Sequence, residues 1–262
     1  MNIKTLKMLL AIDIGNSNIV FGIHDSEKWV HEWRILTVPD KTADEYEVIF
    51  RSLLTNTVDY VEKVDRIVVS SVVPQLLRAF TEMLDSLFTV KPLIVGPEIY
   101  PMLPLKVLNP YEIGTDLIAN SMAAYKRFGS LCTVVDFGTA LTLTTISDEG
   151  EILGVSIAPG LKTAIKSLTG NTAQLPSVHL TPPPSVLGEN TVHALQSGVV
   201  LGYSGLVDHL IDLLRNELGN SPEVIATGGL ANVLAPISRY IRVVDQQLTL
   251  EGLRLISDCV TV

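Results

Sequence analysis

A stretch near the start of the chain returns near its middle, and this echo restricts the possible folds more than any other feature. Leu10-Ala11-Ile12-Asp13-Ile14-Gly15-Asn16-Ser17 is answered by Val134-Val135-Asp136-Phe137-Gly138-Thr139-Ala140. Setting Asp13 on Asp136 also sets Gly15 on Gly138, Ile23 on Ile146 and Asp25 on Asp148. Each copy predicts an apolar strand, a tight turn, a second strand, a polar turn (Asp25 to Lys28; Asp148 to Glu151) and a third strand, antiparallel by its β-branched content and turn residues. A second pair of landmarks follows in the same order. Arg66 to Ser71 is a buried strand running into Ser70-Ser71, and Glu223 to Gly229 is one running into Thr227-Gly228-Gly229. Each leads into an apolar helix, Val73 to Phe88 and Leu230 to Arg239. Further helices are predicted over Asp44 to Asn56, Gly114 to Phe128, Leu161 to Leu168 and Thr191 to Leu218. Strands followed by alternating helices and a strand, twice over, predict a duplicated α/β architecture. The division is expected near Asn109 to Gly114, where Pro101, Pro104 and Pro110 break the periodicity, giving halves 1–112 and 113–262. Pro182-Pro183-Pro184 is expected in a surface loop.

With 262 residues, 47% of them hydrophobic and 18% charged, each half can bury a core of its own. A net charge of -9 gives no electrostatic footprint for nucleic acid or anionic lipid, so neither is expected as a partner. Any phosphate would have to be held locally, by backbone amides, helix ends and a metal ion. Cys132 and Cys259 lie far apart without metal-ligand spacing and are expected as buried free thiols in a reducing, cytoplasmic setting. The apolar run after Met8 is too short for a signal peptide or a membrane span and fits a strand. The five histidines form no metal-binding cluster in sequence.

An aspartate two residues before a glycine at a hairpin turn has two uses. It can simply cap the turn. Alternatively, the glycine admits backbone N–H groups to a phosphate, short side chains at Asn16, Ser17 and Thr139 add donors, and the aspartate engages the phosphate through Mg²⁺ or a monovalent cation. Two such turns, one from each half, favour the second use: together they would clamp a nucleoside triphosphate. Neither GxxxxGK[ST] nor a strand-linked GxGxxG occurs. Thr227-Gly228-Gly229 precedes a helix, which suits either an ordinary strand-to-helix turn or close approach of a base or ribose. Asp116, in Gly114-Thr115-Asp116 at a helix start, is either an N-cap or a base beside a substrate hydroxyl, and the helix terminus is expected to lower its pKa.

In combination these segments resemble the type III pantothenate kinases, a bacterial family of the actin/hexokinase/acetate-kinase superfamily. The resemblance runs along nearly the whole chain: Asp13 to Ser17, Ser70-Ser71-Val72-Val73-Pro74, Asn109-Pro110 with Gly114-Thr115-Asp116, Asn120 with Ala123-Ala124, Asp136 to Ala140, Ala158-Pro159-Gly160-Leu161, Asn171-Thr172-Ala173 with Leu175-Pro176, Ala226 to Ala231, and Leu248 to Arg254. It implies two RNase H-like (actin-like ATPase) domains with mixed five-stranded sheets flanked by helices and an ATP cleft between them. It further implies ATP-dependent phosphorylation of pantothenate to 4'-phosphopantothenate, the first step towards coenzyme A. ATP with Mg²⁺ would sit on Asp13, Ile14, Gly15, Asn16, Ser17, Asn18, Ile19 and Val20, with Thr139, Gly228 and Gly229 from the second half. Asp13 would reach Mg²⁺ through phosphates or water, and Asp136 would hold K⁺ or NH₄⁺. Asp116 would accept the hydroxyl proton, and Gly114, Thr115, Leu117, Thr172 and Val107 would line the pantothenate site. A homodimer in the cytoplasm is implied as well. The chain departs from the family pattern at two points. Leu117 stands where the pattern has an arginine, and Val107 where it has a tyrosine. An arginine–carboxylate contact contributes about 1.5–3 kcal/mol, or roughly ten- to a hundredfold in affinity. The alternatives are therefore a diverged paralogue acting on another small hydroxylated metabolite and a non-catalytic nucleotide-binding regulator. Lys106 and Arg127 are the candidate substitute cations.

Overall fold

The structure, a computed structural model, describes residues 8–54, 62–171 and 175–260. It divides into two compact units, one of Met1–Ala123 with Thr249–Val262 and one of Ala124–Leu248.

In the first unit, strands β1 (Met8–Ile14), β2 (Asn18–His24) and β3 (Trp29–Leu36) form an antiparallel meander. Strand β4 (Val64–Ser71) then pairs parallel to β1, and β5 (Leu93–Ile94) parallel to β4, giving the sheet order β3-β2-β1-β4-β5. Central β1 is buried on both faces, which is why it reads as an almost unbroken apolar run. The helices Ala43–Leu54 and Pro74–Leu87 bring Tyr46, Phe50, Leu76 and Phe80 against Phe21 and Ile12 of the sheet, each essentially sealed from water. Phe21 packs against both Phe50 and Phe80, at 5.1 and 6.1 Å between ring centroids. The expected helix over 44–56 is present as Ala43–Leu54, and residues 55 and 56 lie outside the described residues.

The second unit repeats the plan. Strands β6 (Cys132–Phe137), β7 (Ala140–Ile146) and β8 (Ile152–Pro159) form the meander, β9 (Glu223–Thr227) pairs parallel to β6, and β10 (Val243–Val244) parallel to β9. Its order β10-β9-β6-β7-β8 is the first sheet's order read from the other edge. Two mixed five-stranded sheets flanked by helices are thus as the resemblance implies, with β5 and β10 as two-residue edge strands. The helical run Thr191–Leu218 buries Val200, Val207 and Ile211 in this unit's core, with a π turn at Ser197–Leu201. By length and composition its 28 residues could also cross a membrane, a test that core helices pass too. Its buried Asp208 accepts from the Arg239 backbone N–H and the Ser238 hydroxyl, as in a packed protein interior.

The registers refine the echo. Asp13 lies opposite Ser70 and Asp136 opposite Thr227, so the two pairs of landmarks coincide in space as they do in sequence. The second hairpin turn is one residue shorter than the first, however. Ile14 faces Ile19 in one copy, whereas Phe137 faces Leu141 in the other. Ile146 consequently occupies the pairing position of His24, not of Ile23. Ser147, not Asp148, does the work of Asp25: Asp25 Oδ1 accepts the amides of Glu27 and Lys28, and Ser147 Oγ those of Glu149 and Glu151. Cys132 is buried as expected, but Cys259 is exposed, because it lies in the last turn of the helix Leu248–Cys259. Both thiols are free.

Candidate active site

In the first unit, β1 and β4 run parallel and their carboxyl ends lie at one edge of the sheet. Ligands of open α/β sheets gather at such edges. Beyond Ile14 the chain turns tightly: the Gly15 amide donates to the Asn18 carbonyl at 3.0 Å, and Thr37 Oγ1 donates to the Gly15 carbonyl at 2.6 Å. A Cβ on Gly15 would stand 3.0 Å from the Asn18 carbonyl oxygen, so a larger residue would press on the turn. Asn16 and Ser17 are exposed at its tip, and Asp13 and Val20 are half-buried. Ile14 and Ile19 are sealed in the core, so at those two positions only backbone can face a ligand.

The same edge receives the start of the helix Thr115–Phe128. Thr115 Oγ1 lies 2.9 Å from Ser70 Oγ, accepts the Ser71 amide at 3.1 Å and reaches the Ser71 carbonyl at 3.2 Å. Ser70 is itself the partner of Asp13 across the ladder. Asp13 and Asp116 are thereby brought to one edge of one sheet. The Gly114 carbonyl accepts the Leu117 and Ile118 amides, which makes Gly114 the residue before the helix and Asp116 its second residue rather than its N-cap. The carboxylate nevertheless serves the helix end, accepting the Leu117 amide at 2.8 Å. It lies directly over Gly114, where a Cβ would collide with Asp116 Oδ1. Burial pushes the Asp116 carboxyl above the usual aspartate range, opposed by hydrogen bonds from the backbone amides of Leu117 and of Asp116 itself. The expected lowering by the helix terminus is thus outweighed by desolvation.

The helix is held from behind. Asn120 Oδ1 accepts from Thr249 Oγ1 at 2.8 Å, and Gly252 of the helix Leu248–Cys259 packs so closely that a Cβ there would overlap the Ala119 carbonyl. Leu117 is buried at 9% exposure and Val107 half-buried, both apolar. Lys106 is exposed. Arg127 pairs with Asp245 at 3.0 Å inside the second unit, so that candidate cation already has a carboxylate partner.

In the second unit the corresponding turn is formed by Gly138, whose amide donates to the Ala140 carbonyl at 3.1 Å. The Thr139 carbonyl accepts the Gly160 amide at 3.0 Å and Thr163 Oγ1 at 2.7 Å, leaving Gly138 and Thr139 on the surface. Gly228 has φ +87°, a backbone conformation that glycine adopts freely. Its Cα faces the start of the Gly138 turn so closely that a Cβ would stand 2.5 Å from Asp136 Oδ1 and 2.7 Å from the Phe137 backbone. Asp136, Gly138, Thr139, Gly228 and Gly229 therefore form one small cluster at the carboxyl ends of β6 and β9. Among the described residues no three His, Cys, Asp or Glu side chains gather as a metal cage. Single carboxylates at phosphate-sized turns suit an ion that keeps water and phosphate oxygens as its other ligands. Thr172 lies outside the described residues. Ser70 and Ser71 were not singled out from the sequence as site residues. A strand ending in two hydroxyls opposite Asp13 was the available signal.

The profile of the type III pantothenate kinases matches residues 9–213. The relative of that name from Syntrophus aciditrophicus is 42% identical, covering 95% of this chain and 98% of its own. The one from Myxococcus xanthus is 43% identical, covering 95% and 97%. Among solved structures, a putative Baf family transcriptional activator from Campylobacter jejuni superposes with a TM-score of 0.58 at 21% identity, over 94% of this chain and 96% of its own. An activator of 2-hydroxyisocaproyl-CoA dehydratase from Clostridium difficile, solved with bound ADPNP, gives 0.53 at 14% identity, over 96% and 93%. At such identities these two speak for the fold alone, which is the duplicated actin-like ATPase architecture. With relatives above 40% identity along 95% of its length, and the family profile spanning most of it, the chain belongs to the type III pantothenate kinases.

Proposed function

We propose that this protein transfers the γ-phosphoryl group of ATP to the hydroxyl of pantothenate, yielding ADP and 4'-phosphopantothenate on the way to coenzyme A. Beyond family membership, the observation that carries this is the half-buried Asp116 carboxylate, fixed by the Leu117 amide at the sheet edge that also holds the Asp13 turn. Asp116 accepts the hydroxyl proton as the alcohol oxygen bonds to the γ-phosphorus and the bond to the β–γ bridging oxygen breaks. Burial raises its pKa, which makes the carboxylate a stronger base than an ordinary aspartate.

ATP is held jointly by the turn from Asp13 to Val20 and by Thr139, Gly228 and Gly229. Asp13 would serve Mg²⁺, and Asp136 would hold K⁺ or NH₄⁺. These cations would offset the charge of the triphosphate, leaving the side chains to position the alcohol. Gly114, Thr115, Leu117 and Val107 line the acceptor site. The protein acts in the cytoplasm as a homodimer. Support for a subunit contact comes from the edge strand β8, which exposes Leu153 at 39% and Ile157 at 71%. Halves 1–112 and 113–262 are proposed as the products of the duplication, whereas the compact units divide within the helix Thr115–Phe128.

The deciding experiment supplies purified protein with ATP, Mg²⁺, K⁺ and pantothenate and measures ADP release. Asp116→Asn should lower kcat by about 10²- to 10⁴-fold with ATP binding retained. Apolar Leu117 and Val107 favour a second reading, phosphorylation of another small alcohol; turnover of such an alcohol and none of pantothenate would select it. Leu117→Arg should lower KM for pantothenate if the pocket is otherwise of family type.

A further inference from the structure

The acceptor side of the first unit holds a buried hydroxyl with nothing to bond. Tyr100 is only 4% exposed, and its phenolic oxygen is shut off from solvent without a hydrogen-bond partner among the described residues. A phenol has a donor and an acceptor to satisfy, and leaving them empty in the interior costs about 1–3 kcal/mol. Phenylalanine would fill the same volume without that cost, so the hydroxyl requires an explanation.

Its place in the fold supplies one. Strand β5 runs parallel to β4, so the chain leaving β5 emerges at the edge where Ser70, Ser71 and Thr115 are knitted together. The Val95 amide still bonds the Val69 carbonyl, the Ile99 amide closes a turn on the Gly96 carbonyl, and the one-turn 3-10 helix Tyr100–Met102 follows. Tyr100 thus stands at the Asp116 end of the sheet. Its electrostatic surroundings agree. Burial, with Glu98 and Asp116 as the nearby negative charges, pushes the phenol up to about 12, so it stays protonated throughout the working pH range. The residues expected to line the acceptor at 107 and 117 are Val and Leu, and neither side chain can offer a hydrogen bond.

We propose that the Tyr100 hydroxyl is a hydrogen-bond donor to the bound acceptor beside Asp116, and that it selects a neutral oxygen there, an amide carbonyl or a hydroxyl. A carboxylate is disfavoured at this point because Glu98 and Asp116 already make it electronegative. The sealed position of the oxygen means that acceptor entry displaces the side chains covering it, a local adjustment at the short helix with its exposed Met102. A contact of this kind is specificity-determining. An alcohol lacking the matching oxygen would leave the phenol as empty as it is in the free chain, and would gain nothing from it.

This inference rests on pantothenate being the acceptor, and the test separates the two claims. Tyr100→Phe is compared with the unaltered protein in steady-state kinetics and in thermal melts with and without pantothenate. The expected result is a KM for pantothenate raised about tenfold, the magnitude of one lost neutral hydrogen bond. KM for ATP should stay within about twofold, the melting temperature without ligand should be equal or higher, and the rise on adding pantothenate should be smaller. Calorimetry of pantothenate binding to Asp116→Asn, with and without Tyr100→Phe, repeats the comparison with the chemistry switched off. Unchanged pantothenate KM and binding would overturn the contact while leaving the kinase assignment standing. A lower melting temperature for ligand-free Tyr100→Phe would overturn it too, since the hydroxyl would then have a structural partner. If the unaltered protein neither turned over nor bound pantothenate, acceptor and contact would fall together.

Discussion

Two opposing forces act on the carboxyl of Asp116, the proposed base. The amides at the helix start stabilise its charge, burial disfavours it, and burial prevails. The sign of the consequence follows from linkage. A carboxyl whose folded pKa lies above its unfolded value binds its proton more tightly when folded, so it contributes stability that is present below the unfolded pKa and is lost as pH rises through the folded one. Wherever Asp116 is ionised its burial works against the fold, and Asp116→Asn should melt at the same or a higher temperature than the unaltered protein while losing turnover. A clear drop in melting temperature would instead assign the side chain to helix capping. The acid limb of kcat/KM should sit above the ordinary aspartate value of 3.8. A limb at or below that value would identify a different base.

Gly228 shows how elements are fitted to the candidate site. Gly228 combines a positive φ with close approach to Asp136 and the Phe137 backbone. Gly228→Ala should therefore weaken ATP and K⁺ binding and destabilise the second unit by about 1–3 kcal/mol, a fall of roughly 2–12 °C in Tm. Unaltered ATP affinity would show that the turn can give way. Elements were largely legible in the sequence, because their cause is local: alternating burial, β-branched runs and small residues at turns produce both meanders. What stayed hidden has non-local causes. The one-residue difference between the hairpin turns cannot be seen in an ungapped match, so Asp148 was paired with Asp25 although Ser147 takes that part. Strands β5 and β10 are two residues long and exist by docking on β4 and β9. Tyr100 carries no motif, and only its burial singles it out. The candidate site divides in the same way: the echo points to Asp13, Gly15, Asp136 and Gly138 as candidates, whereas the Ser70–Thr115 link joins residues 45 apart and has no sequence signal.

At the scale of the whole molecule, the claim at stake is that one ATP is shared by two turns that are far apart in sequence. Single changes Asp13→Asn and Asp136→Asn should each weaken ATP binding, and the double change should cost less or more than their sum by at least about 0.5 kcal/mol. Strict additivity in calorimetry would mean that the two carboxylates do not serve the same triphosphate. The subunit contact has its own test: Ile157→Glu places a charge on the exposed edge strand β8 and should shift the sedimentation velocity profile to the monomer. An unchanged dimer would move the contact elsewhere.

The first unit closes only when Thr249–Val262 returns to it, with Gly252 wedged against Ala119 and Thr249 bonded to Asn120. The second unit, by contrast, is a single uninterrupted stretch. During synthesis the second unit is thus ready to mature while the segment up to Ala123 still awaits the helix Leu248–Cys259. The helix that presents Asp116 receives support from residues made 129 positions after Asn120, so a nascent chain interrupted before Thr249 would carry every proposed site residue and still lack the means to hold one of them in place.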